Sequence, residues 1–144
     1  MVVAKETRLQ EILEGTKQYH VPLYQRTYSW GRKELGRLFD DVVSLAVDRA
    51  SDAAVTHFIG SIVLAPTPSN GPAGVQEYLV VDGQQRLTTL SLLLAAIRDH
   101  RRETEGELHF ERINEKFLIN KYEANSQRVR VPWSGGVWGV GVAP

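Results

Sequence analysis

Apolar residues recur along this chain at two periods, and the switches between them mark out its elements. Leu9, Ile12 and Leu13 follow Thr7, an N-cap residue type, at helical spacing, which predicts a short helix over about 7–14 that Gly15 ends. Tyr19 to Leu23 read as a short strand, with Pro22 marking its end or a sheet edge. After Trp30, the residues Leu35, Leu38, Phe39, Val42, Val43, Leu45 and Ala46 fall on one helical stripe, which predicts a core-facing helix ending near Arg49 to Ser51. His57 to Ala65 is rich in β-branched and large apolar residues and reads as a strand covered on both faces. Gly60 in its middle implies a bulge or a close backbone approach.

Pro66 to Gly74 is a loop by composition, and Gln76 to Val81 reads as the next strand, so the two strands form an antiparallel hairpin with a long loop. Leu87, Leu90, Leu93, Leu94 and Ile97 predict a strong helix to about Arg102. Phe110, Ile113, Phe117 and Leu118 predict another over about 107–122. The order helix, strand, helix, strand, strand, helix, helix implies an α+β (mixed α/β) domain, a small mixed sheet flanked by helices. Ser134 to Pro144 departs from this patterning. It has irregular glycines, no charge and no period, yet Trp133 and Trp138 lie beside and within it. Either this tail docks on something or it was not selected as part of the fold.

Composition narrows the class. At 144 residues the chain is long enough for one domain with a real core. Seventeen basic residues balance seventeen acidic ones, which argues against nucleic-acid binding driven by bulk charge but leaves room for a local basic pocket. The absence of cysteine removes disulfides and Cys-based zinc sites, and fits a reducing cytoplasm. The sequence shows no signal peptide and no apolar run long enough to span a bilayer.

Two segments concentrate chemistry. In the first, Val80-Val81-Asp82-Gly83-Gln84-Gln85-Arg86-Leu87-Thr88-Thr89, a strand end, a glycine turn and a helix start bring polar and cationic groups together. Helix N-terminal N–H groups, a glycine and an adjacent arginine form an anion site. The plainer reading is a capping box, with Asp82 accepting from the first turn and Gln85 reaching back. That reading leaves the second glutamine, Arg86 and the two threonines without a task. No Walker-type Gly-x-x-x-x-Gly-Lys-Ser/Thr loop occurs.

In the second segment, Tyr24-Gln25-Arg26 with Tyr28 and Trp30, aromatics alternate with groups that can stack on bases or bond phosphates. Core packing is the plainer reading, favoured for Trp30 and disfavoured for Gln25 and Arg26. His20, His57, His100 and His109 are not spaced as metal pairs, and Asp40-Asp41 reads as a solvated helix edge.

Taken together, Val21-Pro22 through Trp30, Leu38-Phe39-Asp40-Asp41, Phe58-Ile59-Gly60-Ser61-Ile62-Val63-Leu64 and Val81 to Leu90 resemble, block by block and in order, the N-terminal domain of the GmrSD-type restriction endonucleases. The resemblance runs from about Leu9 to about Asn125. It implies a ParB/sulfiredoxin-like fold, a bacterial cytoplasmic setting and a role in defence against modified foreign DNA. It further implies that Asp82, Gly83, Gln84, Gln85 and Arg86 form an NTP-binding and hydrolysing motif, and that Tyr24, Gln25 and Arg26 belong to the sensing of modified DNA. Nuclease chemistry in the family belongs to a separate C-terminal His-Asn-His-type domain. Since members continue for several times this length, residues 1–130 are expected to form the nucleotide-binding and sensor domain. Residues 131–144 are expected to be an atypical tail left by a truncation or frame change, and no DNA cleavage is expected from this chain.

The resulting picture is a composite site. The Gly83 turn and the helix N-terminus receive a phosphate, and Thr88 contributes to nucleotide binding. Arg86 neutralises charge, Gln84 or Gln85 positions a water or a phosphate oxygen, and Arg26 closes the site. Asp82 caps the helix or holds magnesium through water. Competing readings are a non-catalytic module for nucleotide or modified DNA, an inert remnant, and an interaction subunit for a nuclease domain.

Overall fold

The structure is a computed structural model that describes residues 3–22, 28–68 and 74–120, and the backbone of 128–129. Tyr24, Gln25 and Arg26 therefore lie outside the described residues, as does the tail with Trp133 and Trp138.

The elements run α1 (Leu9–Leu13), β1 (Lys17–His20), α2 (Arg32–Ser51), β2 (Val63–Pro66), β3 (Gln76–Asp82), α3 (Gln84–Glu105) and α4 (Glu107–Ile113). A π-helical turn over Asn114–Leu118 and a two-strand ladder of β4 (Ile119–Asn120) with β5 (Arg128–Val129) complete the described chain. Its first seven elements keep the order that the apolar periods predict, and the class is α+β with a small mixed sheet flanked by helices.

The three-stranded sheet has the order β1-β3-β2, with β3 in the middle. β1 runs parallel to β3, pairing Lys17 with Gln76 and His20 with Leu79. β2 runs antiparallel to β3, so the expected hairpin forms, with a register irregularity between Val63 and Leu64. The core lies between this sheet, α1 and the first half of α3. Leu13, Tyr19, Val21, Val80 and Leu87 are buried together, with Leu9, Ile12, Ile62, Leu64, Tyr78, Leu94 and Phe117 packed around them. Tyr19 stacks on Tyr78 with ring centroids 5.9 Å apart, and its hydroxyl donates to the Ile12 carbonyl, fixing α1 to the sheet.

A second anchor is polar. The buried amide of Asn120 donates to Lys17 O and Gln18 Oε1, both at 3.2 Å, tying β4 to β1. Arg98, 1 % exposed, is held by Asp99 (2.7 Å), by Asn114 Oδ1 (2.7 Å) and by the Phe110 ring (4.7 Å), which locks α3 to α4 and the π-helical turn.

Four sequence expectations are corrected. The strand expected over His57 to Ala65 is only four residues long; the backbone before Val63 is irregular, and Phe58 is 81 % exposed rather than covered. The cause is Gly60, whose φ of +103 breaks the extended run. The strand expected from Tyr19 to Leu23 starts two residues earlier and ends at His20. The helix expected over about 107–122 stops at Ile113 and gives way to the π-helical turn and β4. The apolar stripe of α2 was expected to face the core, but only Leu38 is buried.

Candidate functional site

The site is built where β3 passes into α3. β3 is paired with β1 as far as Leu79 and with β2 up to its last residue, Asp82, which lies opposite Val63, so Asp82 has a fixed position. Gly83 then turns the chain with φ +86, a left-handed conformation that side chains beyond Cα disfavour. A Cβ there would stand 2.9 Å from Ser61 O and 3.2 Å from Ile62 Cα, so the turn also needs the missing side chain for space.

The capping box that is the plainer reading of this turn is not made. Gly83 is the N-cap of α3 and no side chain caps the helix. Asp82 Oδ1 accepts from the N–H of its neighbour Gly83 at 2.8 Å, and Gln85 Oε1 accepts from Ser29 N–H at 2.9 Å rather than reaching back. The positive end of a 22-residue helix is thus left without an acidic cap, and acidic residues are absent from its first turn.

Trp30, Asp82, Gly83, Gln84, Gln85 and Arg86 line one cleft of about 210 Å³. Gln84 Oε1 is buried beside it and has no hydrogen-bond donor among the described residues. A buried acceptor left this way is costly, so a donor supplied by a ligand would be favoured there. Arg86 Nη1 donates to Ser61 O at 2.9 Å, the one hydrogen bond of its side chain among the described residues. Its other N–H groups remain available to an anion.

The segment after Thr27 is tied to the same helix. Thr89 Oγ1 donates to Gln85 O at 2.7 Å, which leaves the Tyr28 hydroxyl to donate to Thr89 Oγ1, also at 2.7 Å. Tyr28 and Ser29 therefore meet Gln85 from two sides, one through Thr89 and one directly. Trp30 is half-buried and faces the cleft, where the sequence favoured core packing. Thr88, expected at the nucleotide, is 5 % exposed and does not line the cleft.

Sequence reasoning had no signal for Ser29 N–H or Ser61 O, because both are main-chain groups brought in from distant segments. Asp41 is not merely a solvated edge: its carboxylate lies 3.4 Å from His57 Nε2, linking α2 to the segment ahead of β2. Among the described residues no three metal-ligating side chains converge, and no helix is long and apolar enough to cross a membrane.

Comparison with known proteins gives one result that covers most of the chain. Residues 9–133 match the family model described as the GmrSD restriction endonuclease, N-terminal domain. No curated protein is a significant match to the sequence.

Proposed function

The chain belongs to the family of GmrSD restriction endonuclease N-terminal domains, and on that premise we propose that it binds and hydrolyses a nucleoside triphosphate as the sensor part of a restriction protein. One observation carries the reading: Asp82, Gly83, Gln84, Gln85, Arg86 and Trp30 converge on one cleft at the uncapped start of a long helix.

The chemistry follows from the groups present. Phosphate oxygens bind against the first turn of α3, where the helix field and main-chain N–H groups favour negative charge. Arg86, steadied by Ser61 O, neutralises the charge that builds up as the phosphoryl group transfers. Asp82 is exposed at the mouth, and a single carboxylate beside phosphates is a fitting donor set for magnesium held mostly through water. Held there by Asp82, magnesium would supply positive charge against the phosphates. Gln84 or Gln85 orients the attacking water, and Trp30 offers a face on which a base can stack.

In this reading Tyr24, Gln25 and Arg26, with Tyr28 and Trp30, belong to the sensing of modified DNA. A nuclease domain is the partner that responds. A second reading, a docking module without catalysis, draws support from the exposed apolar row on α2.

Calorimetry with ATP, GTP, CTP and UTP, with and without magnesium, followed by phosphate release, tests the proposal. At least one nucleotide should bind, and Arg86→Ala should weaken it by about 1.5–3 kcal/mol in a folded protein. If none binds the parent, the nucleotide reading falls and the docking reading takes its place.

A further inference from the structure

Of the block Phe58-Ile59-Gly60-Ser61-Ile62 only the Ser61 carbonyl has a task in the cleft chemistry, yet the block lies against two of the cleft's residues. A Cβ placed on Gly60 would stand 2.5 Å from Arg86 Cζ and 2.7 and 2.8 Å from its two Nη atoms. Near-equal distances to all three atoms mean that the guanidinium lies flat over the bare Cα of Gly60. The next residue, Ser61, accepts from Arg86 Nη1 at 2.9 Å. Its carbonyl is also the atom that a Cβ on Gly83 would meet at 2.9 Å. Residues 60–62 are therefore wedged between the Arg86 guanidinium and the Gly83 turn.

We propose that Gly60 is a positioning residue for Arg86, a flat seat that holds the guanidinium plane in one orientation over the cleft. The inference rests on the nucleotide reading for what Arg86 meets there, but the seat itself rests on geometry. Its φ of +103 is a conformation that only glycine adopts readily, and the same position must be empty of side chain for the arginine to fit. The Ser61 carbonyl fixes rotation about the plane. Such a seat suits a planar fork and not an ammonium, so the arrangement selects arginine over lysine. A guanidinium held ready in this way loses little freedom when an anion arrives.

A double-mutant cycle on the full chain tests it, with inorganic triphosphate as the calorimetric probe. Gly60→Ala should weaken binding about ten- to hundredfold, as Arg86→Ala does. Adding Gly60→Ala to Arg86→Ala should weaken it no further, because the clash partner is gone. Gly60→Ala should also cost less stability in the Arg86→Ala background, where backbone strain alone remains. Equal losses of affinity in both backgrounds, or a folded Gly60→Ala protein that binds like the parent, would overturn the proposal.

Should Gly60→Ala not fold, Arg86→Lys decides: it should bind as weakly as Arg86→Ala, and parent-like binding would sink the seat. If the parent binds neither inorganic triphosphate nor any nucleotide, the cleft reading fails separately. The seat is then read from the Arg86 guanidinium resonances, assigned against Arg86→Lys: in the parent the Nη1–H that bonds Ser61 O should be dispersed and slowly exchanging, and in a folded Gly60→Ala it should lose both properties. An unchanged resonance would refute it.

Discussion

The two long helices are nearly equal in length and differ in almost everything else. α3 buries Leu87, Thr88, Thr89, Leu90, Ser91, Ala95 and Arg98. α2 buries Leu38 alone. Along α2, Leu35, Phe39, Val43 and Val47 stand 37, 57, 44 and 64 % exposed at spacings of four, which makes a continuous apolar row. Between the helices lies an apolar cleft of about 450 Å³, lined by Leu35, Gly36, Leu38, Phe39, Thr89, Leu92 and Leu93. The contrast teaches that periodicity reports that a face is apolar, not that the same domain covers it. The candidate site sits at the start of the better packed of the two, α3, whose buried residues hold that wall still.

The largest test of this contrast is a pair of truncations. Leu87 is fully buried, so Leu87→Ala should cost about 2–5 kcal/mol in urea unfolding. Phe39→Ala should cost less than about 1 kcal/mol by the same measurement, as an exposed side chain does. Equal losses would mean that the α2 row is packed in solution and the comparison is wrong.

Gly83→Val comes next. The left-handed φ alone should cost about 1–3 kcal/mol. The new side chain also meets Ser61 O, so thermal melting should fall and nucleotide binding should be lost together. A variant with parent-like melting and affinity would remove the turn from the site.

Tyr28→Phe sharpens the comparison at the link between the segment ahead of α2 and α3. Losing the bond to Thr89 should cost about 0.5–1.5 kcal/mol in urea unfolding. No change would mean that this tie does not hold that segment to α3.

The smallest effect belongs to α2 itself. Glu34's carboxyl is held below the usual carboxylate range by its own backbone N–H and then by that of Gly31, which donates to Oε2 at 3.0 Å. A lowered pKa in the folded state stabilises above the unfolded-state value, and that contribution is lost as pH falls through the folded one. Glu34→Gln should therefore melt slightly below the parent at neutral pH and converge with it on acidification. A gap that widened in acid would contradict this role for the carboxylate.

How much was legible in the sequence follows from how local each feature is. The β3–α3 junction could be read because strand, glycine and helix start are contiguous, and Gly83 takes the conformation its position required. The hairpin was legible for the same reason. The start of β2 was not, since Gly60 answers to an arginine far along the chain rather than to its neighbours. Nor could the sequence show that Gln85 would turn to Ser29 N–H instead of capping its own helix. The break at Ile113 was hidden because Phe117 and Leu118 keep a helical spacing across the π-helical turn while burying themselves against α1 and α3.

The strand order has a consequence for how the domain comes into being. Of the three strands, β3 is the last to be synthesised and the one that ends in the middle. A nascent chain emerging from the ribosome presents β1 and β2 before their shared partner exists, so neither can complete its ladder early. When β3 arrives it fills the gap between them, and the next residues out are Asp82, Gly83 and the first turn of α3. Sheet closure and assembly of the cleft are thus consecutive events in vectorial synthesis, with no stage at which the cleft stands on an unfinished sheet.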